Sequence, residues 1–138
     1  MRKLDQRGVA AFEFCLVAVA FFTLVFAIFD LGRYAITMQS LRALAGAGAR
    51  ATMIQCYTAD VIKKTSPSSC TDVNSYLTDT QKQNAAPFLY AGGLSPTLAT
   101  TSGANALTVT ASQPGFAMLM PIWGASLNAP SASTKIPF

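Results

Sequence analysis

The side chains that most often carry chemistry in proteins are few in this chain and widely spaced. Its 138 residues include no histidine, three cysteines and six carboxylates, and charged residues make up 12% of the total. Metal centres, general acid–base pairs and Ser/His triads need several such groups close together. The inventory therefore excludes most of these sites, and we expect no catalytic residue, no metal, no cofactor and no enzymatic activity.

Two reactions remain within reach of the residues present. The first is hydrolysis of the peptide bond after Gly8, because a residue without a side chain lets a protease approach the backbone closely and accepts the extended conformation of a cut site. That cut would create a free amine on Val9, four residues before the carboxylate of Glu13. The second reaction is oxidation of Cys56 and Cys70 to a disulfide.

The element that must position Gly8 and Glu13 is an apolar segment. Residues 14–29 carry no charge, and Thr23 is their only polar side chain. Extended back to Val9, the segment would measure about 31 Å as a helix, which matches a hydrocarbon core of about 30 Å. The basic residues of the leader outnumber its single acid, Asp5, so the positive-inside rule predicts a single-pass protein with a cytoplasmic N-terminus.

A secretory signal peptide is the competing interpretation of the same segment. That signal needs small residues in an A-x-A pattern just after the apolar run, whereas this run ends in Asp30-Leu-Gly-Arg33. Cys15 does not fit a lipid-attachment site either, because it follows Phe12-Glu-Phe14 and lies before most of the apolar run. The residues favour an anchor that stays in the membrane.

The phrase RGVAAFEFCLVAVAFFTLVFAIFDLGRYA combines a glycine that ends a basic leader, a glutamate as the fifth residue after it, an apolar stretch, and then D-x-G-R. Its opening resembles the type IV prepilin signal. The whole phrase resembles the start of TadE-like pseudopilins, which are minor pilins of the Flp/Tad (tight adherence) pilus, and the resemblance extends from Arg7 to about Thr52. It implies that a prepilin peptidase cuts between Gly8 and Val9 and that the retained segment is both membrane anchor and filament core.

The same resemblance gives Glu13 a role in subunit pairing. A carboxylate inside a membrane costs about 2.5–3.5 kcal/mol on insertion scales, and pairing with the Val9 ammonium of a neighbouring subunit would offset that cost and set the axial register. The alternative is a glutamate that lies at headgroup depth without a partner, since it is only four residues inside the new terminus.

Beyond the anchor, the sequence predicts an α+β fold in which a long N-terminal helix packs against a small head with a second helix and a short antiparallel sheet. No proline precedes Pro67, so one helix is expected to run from Val9 to about Lys64. Its apolar stripe is expected at Leu31, Ala35, Met38, Leu41 or Arg42, Ala45 and Ala49. The small residues 43–51, including Gly46 and Gly48, are predicted to pack against the protein's own sheet.

The head is expected to start with a second helix, capped by Thr71 or Asp72, that continues to about Leu89 and ends at Gly92-Gly93. A hairpin should follow, with strands at residues 107–110 and 116–120 and a turn at residues 113–115. The expected division is a leader at 1–8, a transmembrane helix at 9–30, its exported continuation at 31–66, the head at 67–128 and a loosely ordered tail at 129–138.

Cys56 and Cys70 both lie on the exported side of the predicted span, where an oxidising compartment favours a bridge. A bridge over such a short loop would contribute about 3 kcal/mol in the chain-entropy model. The alternative is that both thiols are free and buried, and connectivity does not follow from sequence.

Taken with the resemblance, these features predict a minor pilin or pseudopilin, a structural subunit for assembly of a Flp/Tad-type pilus. Its expected partners are a prepilin peptidase, other major and minor pilins, the inner-membrane assembly platform and membrane lipid. The expected location is the bacterial inner membrane, with the head in the periplasm, and incorporation into a surface pilus would follow. Nucleic acid is not expected, since residues 83–134 carry no charge.

Two other classes of function remain open at this point. One is a single-pass membrane-tethered module whose neutral head binds an envelope or surface ligand and never polymerises. The other is a secreted enzyme, which the inventory of residues disfavours. A mature N-terminus at Val9 would separate the pilin from the tethered module.

Overall fold

The computed structural model describes the backbone of residues 6–138 and the side chains from Val9 onward. Most of the predicted leader, residues 1–5, lies outside the described part of the chain. The described part consists of a long N-terminal helix and a smaller head with short helices and a three-stranded antiparallel sheet. The predicted α+β class is confirmed.

The long helix, α1, covers Gln6–Thr52 and continues through a single π-helical turn, Met53–Tyr57, into the short helix α2, Thr58–Ile62. Its uninterrupted course follows from the absence of proline. The prediction that it ends near Lys64 is close, because Lys63 is the C-cap and Lys64 has a positive φ of 60°. The helix is long and apolar enough to cross a membrane.

The stripe that α1 buries against the head is partly the predicted one. Leu41, Ala45 and Ala49 are buried as expected. The prediction is wrong at the membrane-proximal end, where Leu31 and Ala35 are exposed. Polar residues take the buried positions there: Asp30 and Thr37 face the head with their polar atoms satisfied, the threonine by donating to the Arg33 carbonyl over 2.9 Å.

The sheet packs against the small residues of α1, as predicted. At Gly48, an added Cβ would lie 3.1 Å from side-chain carbons of Leu98 and Val109 and 3.2 Å from Val73. Such distances are tighter than ordinary van der Waals contact, so the absence of a side chain lets the sheet approach the helix axis. Gly46 behaves differently, because an added Cβ there would meet nothing within 4 Å.

The single second helix predicted for the head is replaced by several short ones. Asp72 is the N-cap of α3, Val73–Tyr76, and Thr78 caps α4, Asp79–Ala85. Thr78 forms a capping box with Gln81, in which each side chain bonds the other residue's backbone N–H. That box starts a new helix, and Pro87 prevents α4 from continuing. A 3₁₀ segment, Pro87–Gly93, follows and ends at the predicted glycine pair.

The predicted hairpin is correct in one strand and wrong in the other. Strand β2, Ala106–Ser112, contains the predicted residues 107–110, but its hairpin partner is β1, Thr97–Ser102. Residues 116–120 form a loop instead of a strand. Two backbone N–H groups of this loop, those of Leu119 and Met120, donate to the Asp30 carboxylate and not to a neighbouring strand.

The tail predicted to be loosely ordered is strand β3, Ser131–Pro137, which pairs antiparallel with β2 from Ser112↔Ser131 to Ala106↔Pro137. Its alternating pattern places Ile136 in the core. The prolines that suggested disorder stand just before the strand and at its end, where a missing N–H removes no central ladder bond.

Candidate functional site

The predicted processing site lies in the first turns of α1. Because the described helix already includes Gln6, the backbone on both sides of the Gly8–Val9 bond is helical. A protease needs an extended backbone, so cutting requires this first part of the helix to unwind. A glycine lowers helix stability by about 1 kcal/mol, so Gly8 makes unwinding here easier.

Glu13 lies one helical turn beyond Val9, and both side chains are exposed on the surface of α1. Residues four apart lie on the same helix face. In the described part of the chain, the two ion pairs are Asp30–Arg33 and Asp79–Lys82, so the Glu13 carboxylate has no cationic partner from residues 9–138.

The apolar side chains that follow Glu13 are uncovered on every side. Phe14, Val17 and Phe21 are exposed, as are Leu24 and Phe29 further along the helix. Aromatic contacts within this segment join Phe21 to Phe22 and Phe22 to Phe26 of the same helix and leave the outer surface open. Such a surface is compatible with lipid or with other apolar helices and incompatible with water.

The apolar segment ends at Asp30, which connects α1 to the head. Its carboxylate is 1% exposed and accepts hydrogen bonds from the backbone N–H groups of Leu119, at 3.0 and 3.1 Å, and Met120, at 3.0 Å. Charge-assisted bonds of this kind are stronger than those between neutral groups. The D-x-G-R motif thus provides an acceptor that holds the loop of residues 116–124 against the helix.

Arg33 contributes the second charge of the junction. Its guanidinium lies 3.5 Å from the Asp30 carboxylate and 5.4 Å from the centre of the Phe116 ring, so it combines an ion pair with a cation–π contact. Phe116 also packs against Tyr34, with ring centres 6.3 Å apart. Asp30 and Arg33 therefore bind the same loop. Asp30 contacts the backbone of the loop, and Arg33 contacts its aromatic side chain, Phe116.

Cys56 and Cys70 are joined as a disulfide in the structure, with Cα atoms 5.8 Å apart. Cys56 belongs to the π-helical turn, and Cys70 follows a 3₁₀ turn at Pro67–Ser69. Asp60 lies beside both sulphur atoms. This trio does not fit a metal ion, because bonded sulphurs carry no thiolate for coordination.

Asp30 and Gln113 are two buried polar residues whose contacts sequence reasoning missed. Gln113 is 1% exposed and donates from Nε2 to the Leu89 carbonyl over 3.0 Å, which ties the end of β2 to the 3₁₀ segment. A signal existed for Asp30, since a carboxylate at the end of a membrane-grade run needs donors nearby. No comparable signal marked Gln113.

The fold and the site together define a class: a helix-anchored α+β protein whose exposed apolar helix carries one carboxylate near its start and whose head is fixed to the helix just beyond the apolar segment. The family model described as TadE-like protein matches residues 8–50, which run from the predicted cleavage site to near the end of α1. This match confirms the resemblance to TadE-like proteins of Flp/Tad pili. The family is structural and pilus-associated, and the apolar helix fits a membrane protein of that kind. Comparison with curated proteins gave no match, and comparison with solved structures gave none.

Proposed function

We propose that the protein is a minor pilin or pseudopilin of a Flp/Tad-type pilus, a structural subunit that a prepilin peptidase cuts between Gly8 and Val9. The precursor is held in the bacterial inner membrane by α1, with a cytoplasmic N-terminus and a periplasmic head. Its partners are the peptidase, other pilins and the assembly platform. The mature subunit enters, or assembles beside, the base or tip of the pilus.

The observation that carries this proposal is the exposed apolar surface of α1 before Asp30. An apolar surface exposed all round the helix can be covered first by lipid and later by the helices of neighbouring subunits, which is what a subunit that moves from a membrane into a filament requires. The exposed Glu13 carboxylate is the one charged group on that surface between Val9 and Phe29. Cleavage supplies the matching charge, the Val9 ammonium of a neighbour.

The test is to identify the first residue of the mature protein by mass spectrometry. The protein is extracted from membranes of cells with active or inactive peptidase. We expect a chain that starts at Val9 in the first case and an uncut precursor in the second. Gly8→Leu should remain membrane-inserted and uncut, because the added side chain blocks access to the backbone. Gly32→Leu is a matched control, since an added Cβ at this exposed glycine meets nothing within 4 Å, and it should be cut normally.

A mature chain that starts at any residue other than Val9, or one that keeps residues 1–8 in cells with active peptidase, would overturn the proposal. The second of these results would favour the membrane-tethered binding module, which needs no processing. Wild-type cutting of Gly8→Leu would show that Gly8 is not the recognised residue.

A further inference from the structure

The loop formed by residues 116–124, Phe-Ala-Met-Leu-Met-Pro-Ile-Trp-Gly, is an apolar segment of the head of which Phe116 is buried and Leu119 and Ile122 are exposed. Leu119 is 76% exposed and Ile122 is 60% exposed. The loop contains no charged residue and lies within the uncharged stretch of residues 83–134. We propose that this loop is a second membrane contact, which dips into the outer face of the bilayer that α1 crosses.

The position of the loop along α1 supports lipid as its occupant. The helix from Val9 to Asp30 rises about 31 Å, close to the hydrocarbon thickness of about 30 Å, so Asp30 lies at the outer membrane surface when Val9 lies at the inner one. The hydrogen bonds from Leu119 and Met120 to Asp30 hold the loop at this same depth. Exposed side chains of the loop are therefore next to lipid.

Met120 places part of the loop deeper than Asp30. Together with Phe22 and Phe26 of the apolar segment, it lines a groove of about 410 Å³ on the side of α1. Phe26 precedes Asp30 by about one helical turn, so the groove lies on the membrane side of the carboxylate. The loop thus extends the apolar surface of the anchor on this side of α1.

Part of the loop backbone meets the main requirement for contact with lipid, which is that polar groups find partners inside the protein. The N–H of Met118 donates to the Asn128 side chain over 2.9 Å, and those of Leu119 and Met120 donate to Asp30. Pro121 has no N–H to satisfy. Gly124 donates to the Pro121 carbonyl over 3.1 Å.

The residues around the loop match a membrane interface. Trp123 is the kind of amphipathic aromatic side chain that is enriched at headgroup depth, and it is the only tryptophan of the chain. Arg33, beside the loop, lies where lipid phosphates would be. A head attached to the membrane through both α1 and the loop has a fixed orientation, and its loop must leave the lipid before the subunit enters a filament.

The experiment uses the full chain in phosphatidylcholine/phosphatidylglycerol vesicles that contain lipids spin-labelled near the glycerol. In a Trp123→Phe background, a single tryptophan is introduced by Leu119→Trp or, as the matched control, by Ile62→Trp. Leu119 and Ile62 are both 76% exposed, but Ile62 is at the far end of the helix. We expect lipid labels to quench the first tryptophan and aqueous iodide to quench the second.

Quenching of the Leu119→Trp protein by iodide, or by neither agent, would overturn the inference. Lipid quenching that disappears when the protein-to-lipid ratio is raised would also overturn it, because a second copy would then cover the loop. Alkaline carbonate extraction of the same vesicles separates the two proposals. If α1 resists extraction and the loop is not quenched by lipid, only this inference fails; if α1 is extracted, the proposed function fails with it.

Discussion

At the scale of single residues, the two carboxylates of the N-terminal helix differ in what satisfies them. Asp30 is buried and has its donors within the chain, two backbone N–H groups and Arg33. Glu13 is exposed, and no cation from residues 9–138 pairs with it. The first therefore belongs to the fold, and the second is the carboxylate that we propose for assembly.

Asp30→Asn tests the structural carboxylate. The substitution keeps the size of the side chain but removes the charge and one acceptor oxygen, so a buried N–H group loses its partner. We expect a clear fall in the thermal unfolding midpoint of the detergent-solubilised protein. Asp79→Asn is the control, since it removes another i,i+3 ion pair from a side chain that is 87% exposed, and exposed pairs contribute little. Equal shifts for both variants would contradict this account of Asp30.

Glu13→Gln and Glu13→Ala test the assembly carboxylate. Both remove the charge while membrane insertion and cleavage persist, and the alanine makes the anchor more apolar, so an assembly defect cannot be blamed on lost insertion. We expect the yield of crosslinked pilin complexes to fall by about tenfold or more, the factor that corresponds to about 1.4 kcal/mol per contact. Wild-type yield for both variants, at equal cleavage, would make Glu13 a tolerated carboxylate at headgroup depth.

At the scale of elements, the predictions that are correct are those that depend on hydrophobic periodicity and on the absence of proline. The course of α1, the burial of Leu41, Ala45 and Ala49, and strand β2 all follow from such patterns. Strand β1 was not predicted, because its Ser/Thr-rich sequence is typical of a connecting loop. In the structure, Leu98 and Thr100 are buried and their neighbours are exposed, which is the alternating pattern of a strand. Residues 116–120 form a loop and not the predicted strand, because a short continuous apolar run has no period that identifies its secondary structure.

The glycines of α1 give an element-scale prediction. Gly46→Ala should raise the free energy of unfolding by about 1 kcal/mol, because alanine favours the helix and the added Cβ meets no atom within 4 Å. At Gly48 the same gain is opposed by contacts of 3.1 Å with the sheet, so Gly48→Ala should be less stable than Gly46→Ala by about 1–3 kcal/mol. Urea unfolding followed by Trp123 fluorescence measures both, and similar stabilities would show that the sheet moves away freely.

At the scale of the whole molecule, the head is attached to the helix at two distant places. The membrane-proximal attachment is Asp30 with the loop of residues 116–124. The distal one is the π-helical turn, whose extra residue per turn changes the direction of the side chains. There Gln55 donates to the Tyr76 carbonyl over 2.9 Å, Cys56 bonds Cys70, and Tyr57 donates to the Pro137 carbonyl over 3.1 Å. Between these ends the sheet packs on the small residues of α1, so helix and head should move as one body.

The disulfide is the covalent part of the distal attachment. Because it closes a loop with a sequence separation of 14, its removal should lower the free energy of unfolding by about 2–4 kcal/mol. Cys56→Ser and Cys70→Ser should each cause this loss, and the double variant should lose no more, since the bond is gone after either change. Cys15→Ser, which removes the exposed cysteine of the anchor, is the control and should leave head stability unchanged. Thiol labelling of the native, non-reduced protein should modify Cys15 alone. Labelling of Cys56 and Cys70 without reductant, or additive losses in the double variant, would mean that the two thiols are free and that the helix and head are held together by packing and hydrogen bonds only.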